Sequence, residues 1–110
     1  MNIHKEIINK VGVLRLSGRL GAKSVQLLKE NVNSLLENKT VFIVIDLGGV
    51  DFIDSSGLGS LVSCLRKANN LKGDIRLTSL QEKIQDLVKL TRLHKVFQIF
   101  DDCETGVKSY

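Results

Sequence analysis

VFIVIDLGGVDFIDSSGLGSLVSCL, residues 41–65, decides the fold. Residues 41–47 form an almost unbroken apolar run rich in β-branched side chains. Such a run predicts a strand buried on both faces, as in a parallel sheet. Residues 48–56 carry two glycines, two acids and two adjacent serines, and read as a loop. Leu58, Leu61, Val62, Leu65 and Ala68 then recur at helical spacing and make one apolar stripe. Asp54, Ser55, Ser56 and Gly57 therefore stand where a central strand hands over to a helix. The first N–H groups of a helix have no internal partner, and its dipole is positive there. In an open α/β sheet, the carboxyl end of a strand is also where ligands and partners are met.

The flanking sequence alternates strand and helix patterns. Ile3, Ile7 and Ile8, then Val11, Val13, Leu14 and Leu16, predict two strands joined by a tight turn at Asn9 and Lys10. Residues 17–21, SGRLG, read as a connection. Val25, Leu28, Val32, Leu35 and Leu36 predict an amphipathic helix over residues 22–37. The helix that begins in the serine loop should end near Asn70, before Gly73. Ile75 and Leu77 mark a short strand over residues 74–78. Ser79 and Glu82 have the spacing of a capping box. Ile84, Leu87, Val88 and Leu90 would be the buried face of the helix it opens. Residues 96–100 alternate as a last strand, and residues 101–104 start a short terminal helix or fray.

The order β-β-α-β-α-β-α-β implies an α/β fold. Its sheet is mixed and mostly parallel, with an antiparallel edge strand and helices packed on it. The 110 residues, 43% of them hydrophobic, are enough for one domain with a real core. With aromatics at 5% and no Trp, that core must be Leu, Ile and Val. No apolar run could span a bilayer and the first ten residues lack a signal-peptide segment, so the expected location is cytoplasmic, with no membrane partner. Cys64 falls on the apolar stripe, and two lone Cys without a CxxC make neither a disulfide framework nor a zinc site. The net charge is +4, with the densest basic patch at Lys83, Lys89, Arg92 and Lys95. Without stacking aromatics this reads as a solvated face and not as a nucleic-acid surface.

Residues 54–59, DSSGLG, hold the side chains most suited to chemistry. A serine nucleophile needs a base, and the chain has no G-x-S-x-G elbow and no S-x-x-K pair. Its histidines, His4 and His94, each stand beside a lysine and read as ordinary surface or half-buried residues. A phosphate-binding G-x-x-x-x-G-K-[ST] loop is absent as well. Asp46, Asp51 and Asp54 could hold Mg²⁺, but three acids around a loop are common without one, and no metal or cofactor is expected. Asp54 and Ser55 both suit a helix N-cap. Gly57 and Gly59 are costly in a first helical turn, which points to close approach by another chain and to a docking surface.

DFIDSSGLGSL, residues 51–61, resembles the signature of the anti-sigma-factor antagonists, bacterial members of the STAS domain family. The resemblance extends along nearly the whole chain, through the hairpin, the Gly18-Arg19-Leu20 turn and the apolar strand. It implies a cytoplasmic switch protein and not an enzyme. Unphosphorylated, such a protein binds an anti-sigma factor that is also a serine kinase. The kinase phosphorylates the first serine after the acid, here Ser55, and a PP2C-type phosphatase reverses this. The implied partner-binding residues are Arg19, Gly21, Asp54, Ser55, Ser56, Gly57, Leu58 and Gly59. Many relatives carry an Asp where Gly21 stands; its loss, with Arg19 nearby, implies a different partner. The alternatives are a STAS scaffold or transporter-associated subunit that is not phosphorylated, and a small-ligand or nucleotide-binding domain.

Overall fold

The computed structural model describes residues 1–110. Strands β1 (Asn2–Ile8) and β2 (Val11–Leu20) are followed by α1 (Val25–Glu37), β3 (Phe42–Ile53), α2 (Ser55–Asn70) and β4 (Asp74–Thr78). Then come α3 (Glu82–Leu90), a 3₁₀ turn (Leu93–Lys95), β5 (Ile99–Phe100) and α4 (Cys103–Lys108). The sheet order is β1-β2-β3-β4-β5, with β1 antiparallel to β2 and every other pair parallel. Asn9 and Lys10 both have positive φ, 51° and 67°. That is the signature of the two-residue turn whose twist matches a hairpin.

Strands β2 to β5 lie side by side in chain order. Crossovers of one hand then place all three connecting helices on the same face of the sheet. The main core records this: Leu28 and Val32 of α1, Leu61 and Leu65 of α2, and Ile84 and Val88 of α3 pack with Leu14, Ile45 and Leu77 of the strands. The opposite face is left to α4, whose Val107 packs with Val11, Val13 and Val44. Val44 and Ile45, adjacent in β3, thus serve two different cores, as expected of a strand buried on both faces. Cys64 is buried in the main core, and burial pushes its thiol pKa up.

Several sequence expectations are corrected. Residues 17–20 and 48–53 are not connections. They extend β2 and β3, paired in parallel from Ser17↔Gly49 to Leu20↔Ile53. The glycines that suggested loops instead let two backbones approach. A side chain on Gly49 would meet the Ser17 Cβ at 2.7 Å, and Gly18, at φ +101°, sits at a break in register. The capping box does not form. Ser79 has φ +64°, its N–H is donated to the Phe100 carbonyl and its hydroxyl to Asp46, so Gln81 becomes the residue that precedes α3. Leu90 is 81% exposed and is not on the buried face. The last strand shrinks to two residues, because the N–H groups of Val96 and Phe97 turn back to the Leu93 carbonyl. Phe97 still reaches the core.

Candidate functional site

Asp54 is the pivot of the β3–α2 junction. Its backbone is extended (φ −98°, ψ −177°), and it is the N-cap of α2. Its Oδ1 accepts the Gly57 N–H at 2.9 Å, which satisfies one of the free donors of the first turn. Its Oδ2 accepts the Ala22 N–H at 3.3 Å, and its own N–H is donated to the Leu20 carbonyl at 3.2 Å. One carboxylate therefore joins the start of α2 to the β2–α1 connection.

That connection is itself built from a buried serine. The Ser24 hydroxyl donates to the Arg19 carbonyl at 2.8 Å and accepts the Gly21 N–H at 3.0 Å, while the Ser24 and Val25 N–H groups return to the Gly21 carbonyl. Ser24 was missed by sequence reasoning. Its signal was a serine directly before a periodic apolar run, the pattern of a helix start. A side chain at Gly21 would displace the Asp54 carboxylate, since a Cβ there would lie 2.7 Å from Asp54 Oδ2. An acid at this position would meet the carboxylate that organises the junction.

Ser55 and Ser56 are the first two residues of α2. Both are exposed, and neither hydroxyl makes a hydrogen bond within the chain; the serine hydroxyl that supports this turn is that of buried Ser60, donated to the Gly57 carbonyl at 2.7 Å. Because Gly57 N–H goes to Asp54 and Leu58 N–H to the Asp54 carbonyl, the donors left at the helix start are those of Ser55 and Ser56. Leu58 is half-buried against the core and Gly59 is exposed. Gly57 requires a correction. It is buried, and the close approach it permits is by its own chain: a Cβ would stand 2.2 Å from the Leu20 carbonyl oxygen. Gly57 offers no surface to a partner, whereas around Gly59 there is open space.

Beside the junction runs a groove of about 680 Å³ lined in part by Arg19, Gly21, Lys23, Leu27, Phe52 and Asp54. Arg19 is exposed at the end of β2, and its Cζ lies over the Phe52 ring, 4.2 Å from its centre. Phe52 became a neighbour only because β3 continues past residue 47.

The three acids considered together in the sequence part company. Asp46 accepts the hydroxyls of Ser79 at 2.7 Å and Thr78 at 3.2 Å and the Gly48 N–H, which ties the middle of β3 to the end of β4. Asp51 is exposed, and Asp54 serves the helix. No three His, Cys, Asp or Glu side chains converge as a metal-ligand group. The site is thus a surface junction with an accessible hydroxyl pair at a helix start, flanked by a groove of mixed apolar and cationic character.

A mixed five-stranded sheet with three helices on one face, and exposed serines at the start of the helix after its central strand, define a class of small α/β protein. The family model for the STAS domain matches residues 2–106, and the chain belongs to that family. It is 27% identical over 105 residues to an anti-sigma F factor antagonist of Paenibacillus polymyxa, covering 93% of this chain and 90% of that protein. A Thermotoga maritima protein assigned to the anti-sigma factor antagonists has a crystal structure that superposes with a TM-score of 0.91 at 26% identity, covering 97% of this chain and 92% of the other. The anti-sigma factor antagonist SpoIIAA in its unphosphorylated form has the same fold, with a TM-score of 0.76 at 17% identity over 98% of this chain and 96% of the other.

Proposed function

We propose that this chain is a cytoplasmic anti-sigma factor antagonist, a regulatory binding protein without catalysis of its own, and that Ser55 is its switch. Unphosphorylated, it binds an anti-sigma factor that is also a serine kinase and so frees a sigma factor. The kinase transfers a phosphoryl group from ATP to the Ser55 hydroxyl, the complex parts, and a PP2C-type phosphatase restores the serine. The docking face is formed by Arg19, Asp54, Ser55, Ser56, Leu58 and Gly59, with Gly21 keeping the Asp54 carboxylate in place. The relatives named as antagonists support the function, and the observation that carries the switch is the exposed, unengaged Ser55 hydroxyl at the first position of α2.

The physics of that position explains how one phosphate can change binding and not the fold. A phosphoserine carries roughly −1.5 to −2 charges at neutral pH. The Ser55 and Ser56 N–H groups and the positive end of a 16-residue helix are available to it locally. A partner fitted to a neutral hydroxyl would have to desolvate a dianion at the same place, at a cost of several kcal/mol on the order of other unpaired buried charges.

The test is incubation with a candidate anti-sigma factor kinase and ATP, read by intact mass and phosphopeptide mapping. Wild type should gain one phosphate on Ser55, Ser55→Ala should gain none and still bind, and Ser56→Ala should behave as wild type. Phosphate on Ser56, with Ser55→Ala still modified, would move the switch by one residue. Binding with no modification of either serine would leave a scaffold that works without phosphorylation.

A further inference from the structure

The groove beside the junction has a charge balance that selects its occupant. Arg19 and Lys23 are exposed on its rim, and neither takes part in any ion pair of the molecule. The one carboxylate in the groove, Asp54, already accepts two backbone N–H groups. Arg19 is held over the Phe52 ring, and its guanidinium makes no hydrogen bond or ion pair within the chain. The same groove carries apolar surface: Leu27 and Phe52, each 39% exposed, are two of the seven large hydrophobic side chains that the molecule leaves open to solvent. Two cations outside any ion pair, sharing a groove with two open apolar side chains, are complementary to a chain segment with the opposite charge and the same apolar character.

We propose that this groove seats a segment of the partner protein in which an Asp or Glu adjoins a Leu-like residue, the carboxylate meeting Arg19 and Lys23 and the apolar side chain covering Leu27 and Phe52. The proposal rests on the docking face described above and adds the partner's chemistry to it. Gly21 is part of the same design. An acid at that position would put a negative charge against Asp54 and in the path of the incoming carboxylate. With glycine at position 21 the rim keeps its cationic character, and the groove suits an acidic contact.

The probes are three capped twelve-residue peptides of Leu and Ser that differ only in carrying Glu, Lys or Gln. They are titrated into ¹⁵N-labelled full-length protein and followed by amide shifts. The Glu peptide should move the amides of Gly21, Ala22, Lys23 and Phe52, bind at least tenfold more tightly than the Lys peptide, and weaken with added salt. In the double variant Arg19→Glu, Lys23→Glu the preference should invert, and in Arg19→Lys, Lys23→Arg it should persist. Both variants change exposed side chains, and unaltered melting curves will show that the fold is kept. Equal binding of the Lys peptide, shifts that map elsewhere, or no binding of the Glu peptide would overturn the proposal. So would equal shifts from free glutamate at the same concentration, which would make this a simple anion site. Ser55→Asp should still bind the Glu peptide in the groove. A failed phosphorylation assay with a positive titration would thus reject the switch alone, and the reverse result would reject the acidic contact alone.

Discussion

Replacing Gly57 by Ala and, separately, Gly59 by Ala makes one chemical change at two positions of the same helix, with opposite expected signs. At Gly57 the new methyl would lie 2.2 Å from the Leu20 carbonyl oxygen and 2.9 Å from Ile53 Cγ2. An ordinary contact begins roughly 1 Å further out. The obstacle is backbone at the end of a buried strand, so α2 must lift away from β2. That movement strains the Asp54 N–H to Leu20 bond and the Asp54 to Ala22 bond, which depend on the same spacing. Overpacking of this kind costs about 1–3 kcal/mol. Disturbing the cap adds about 1 kcal/mol, and the better helix propensity of Ala returns about 1 kcal/mol. The net loss is about 2 kcal/mol, a fall in Tm of roughly 8–16 °C for a domain of this size. At Gly59 nothing lies within 4 Å of the added methyl. Only the propensity term acts there, and Tm should rise by about 2–8 °C. Differential scanning calorimetry of the two variants beside wild type decides it. If Gly57→Ala is neutral or stabilising, the tight internal seat of the α2 start is wrong, and with it the geometry that presents Ser55.

Ser55→Asp should leave the fold nearly unchanged, because an acid at the helix start gains about 0.3–1 kcal/mol and repulsion from Asp54 opposes it. Partner binding by calorimetry should nevertheless drop more than a hundredfold, about 3 kcal/mol, while Ser55→Ala binds as wild type; tight binding by Ser55→Asp, repeated with enzymatically phosphorylated protein, would refute the charge switch. Leu61 is fully buried, so Leu61→Ala should lose about 2–5 kcal/mol in urea unfolding, and a loss under about 0.5 kcal/mol would mean the wrong helix face. The Tyr110 hydroxyl lies within donating distance of the carbonyls of Ile43 (2.6 Å) and Asp74 (3.0 Å), and Tyr110→Phe should cost about 0.5–1.5 kcal/mol. Burial first, and then nearby Asp74, raise the pKa of this phenol. A proton held more tightly in the folded state gives stability that is whole below the unfolded value of about 10 and is lost as pH rises above it. Wild type should therefore lose stability from about pH 10 upward more steeply than Tyr110→Phe, and parallel profiles would show that the phenol is not held as described.

Periodicity determined most of this protein from the sequence alone. The 3.6-residue spacing of Leu58, Leu61, Leu65 and Ala68, and the doubly apolar run ending at Leu47, fixed α2, the buried part of β3 and the layered α/β order, because those patterns report which side chains must leave water. The location of Asp54 and Ser55 at a helix start was legible for the same reason. Partner choice was not. Gly48 and Gly49 read as loop because nothing local says that a second backbone lies alongside; only the pairing with β2 makes residues 48–53 a strand and carries Phe52 under Arg19. Ser79 and Glu82 had the spacing of a cap, but Asp46, 33 residues upstream, took the hydroxyl. Gly57 looked like a gap left for another molecule until Leu20 filled it. Side-chain spacing records burial, which each residue carries with it. Hydrogen-bond partners and close approaches between distant segments belong to the assembled sheet, and they decided what the glycines, the acids and the groove are for.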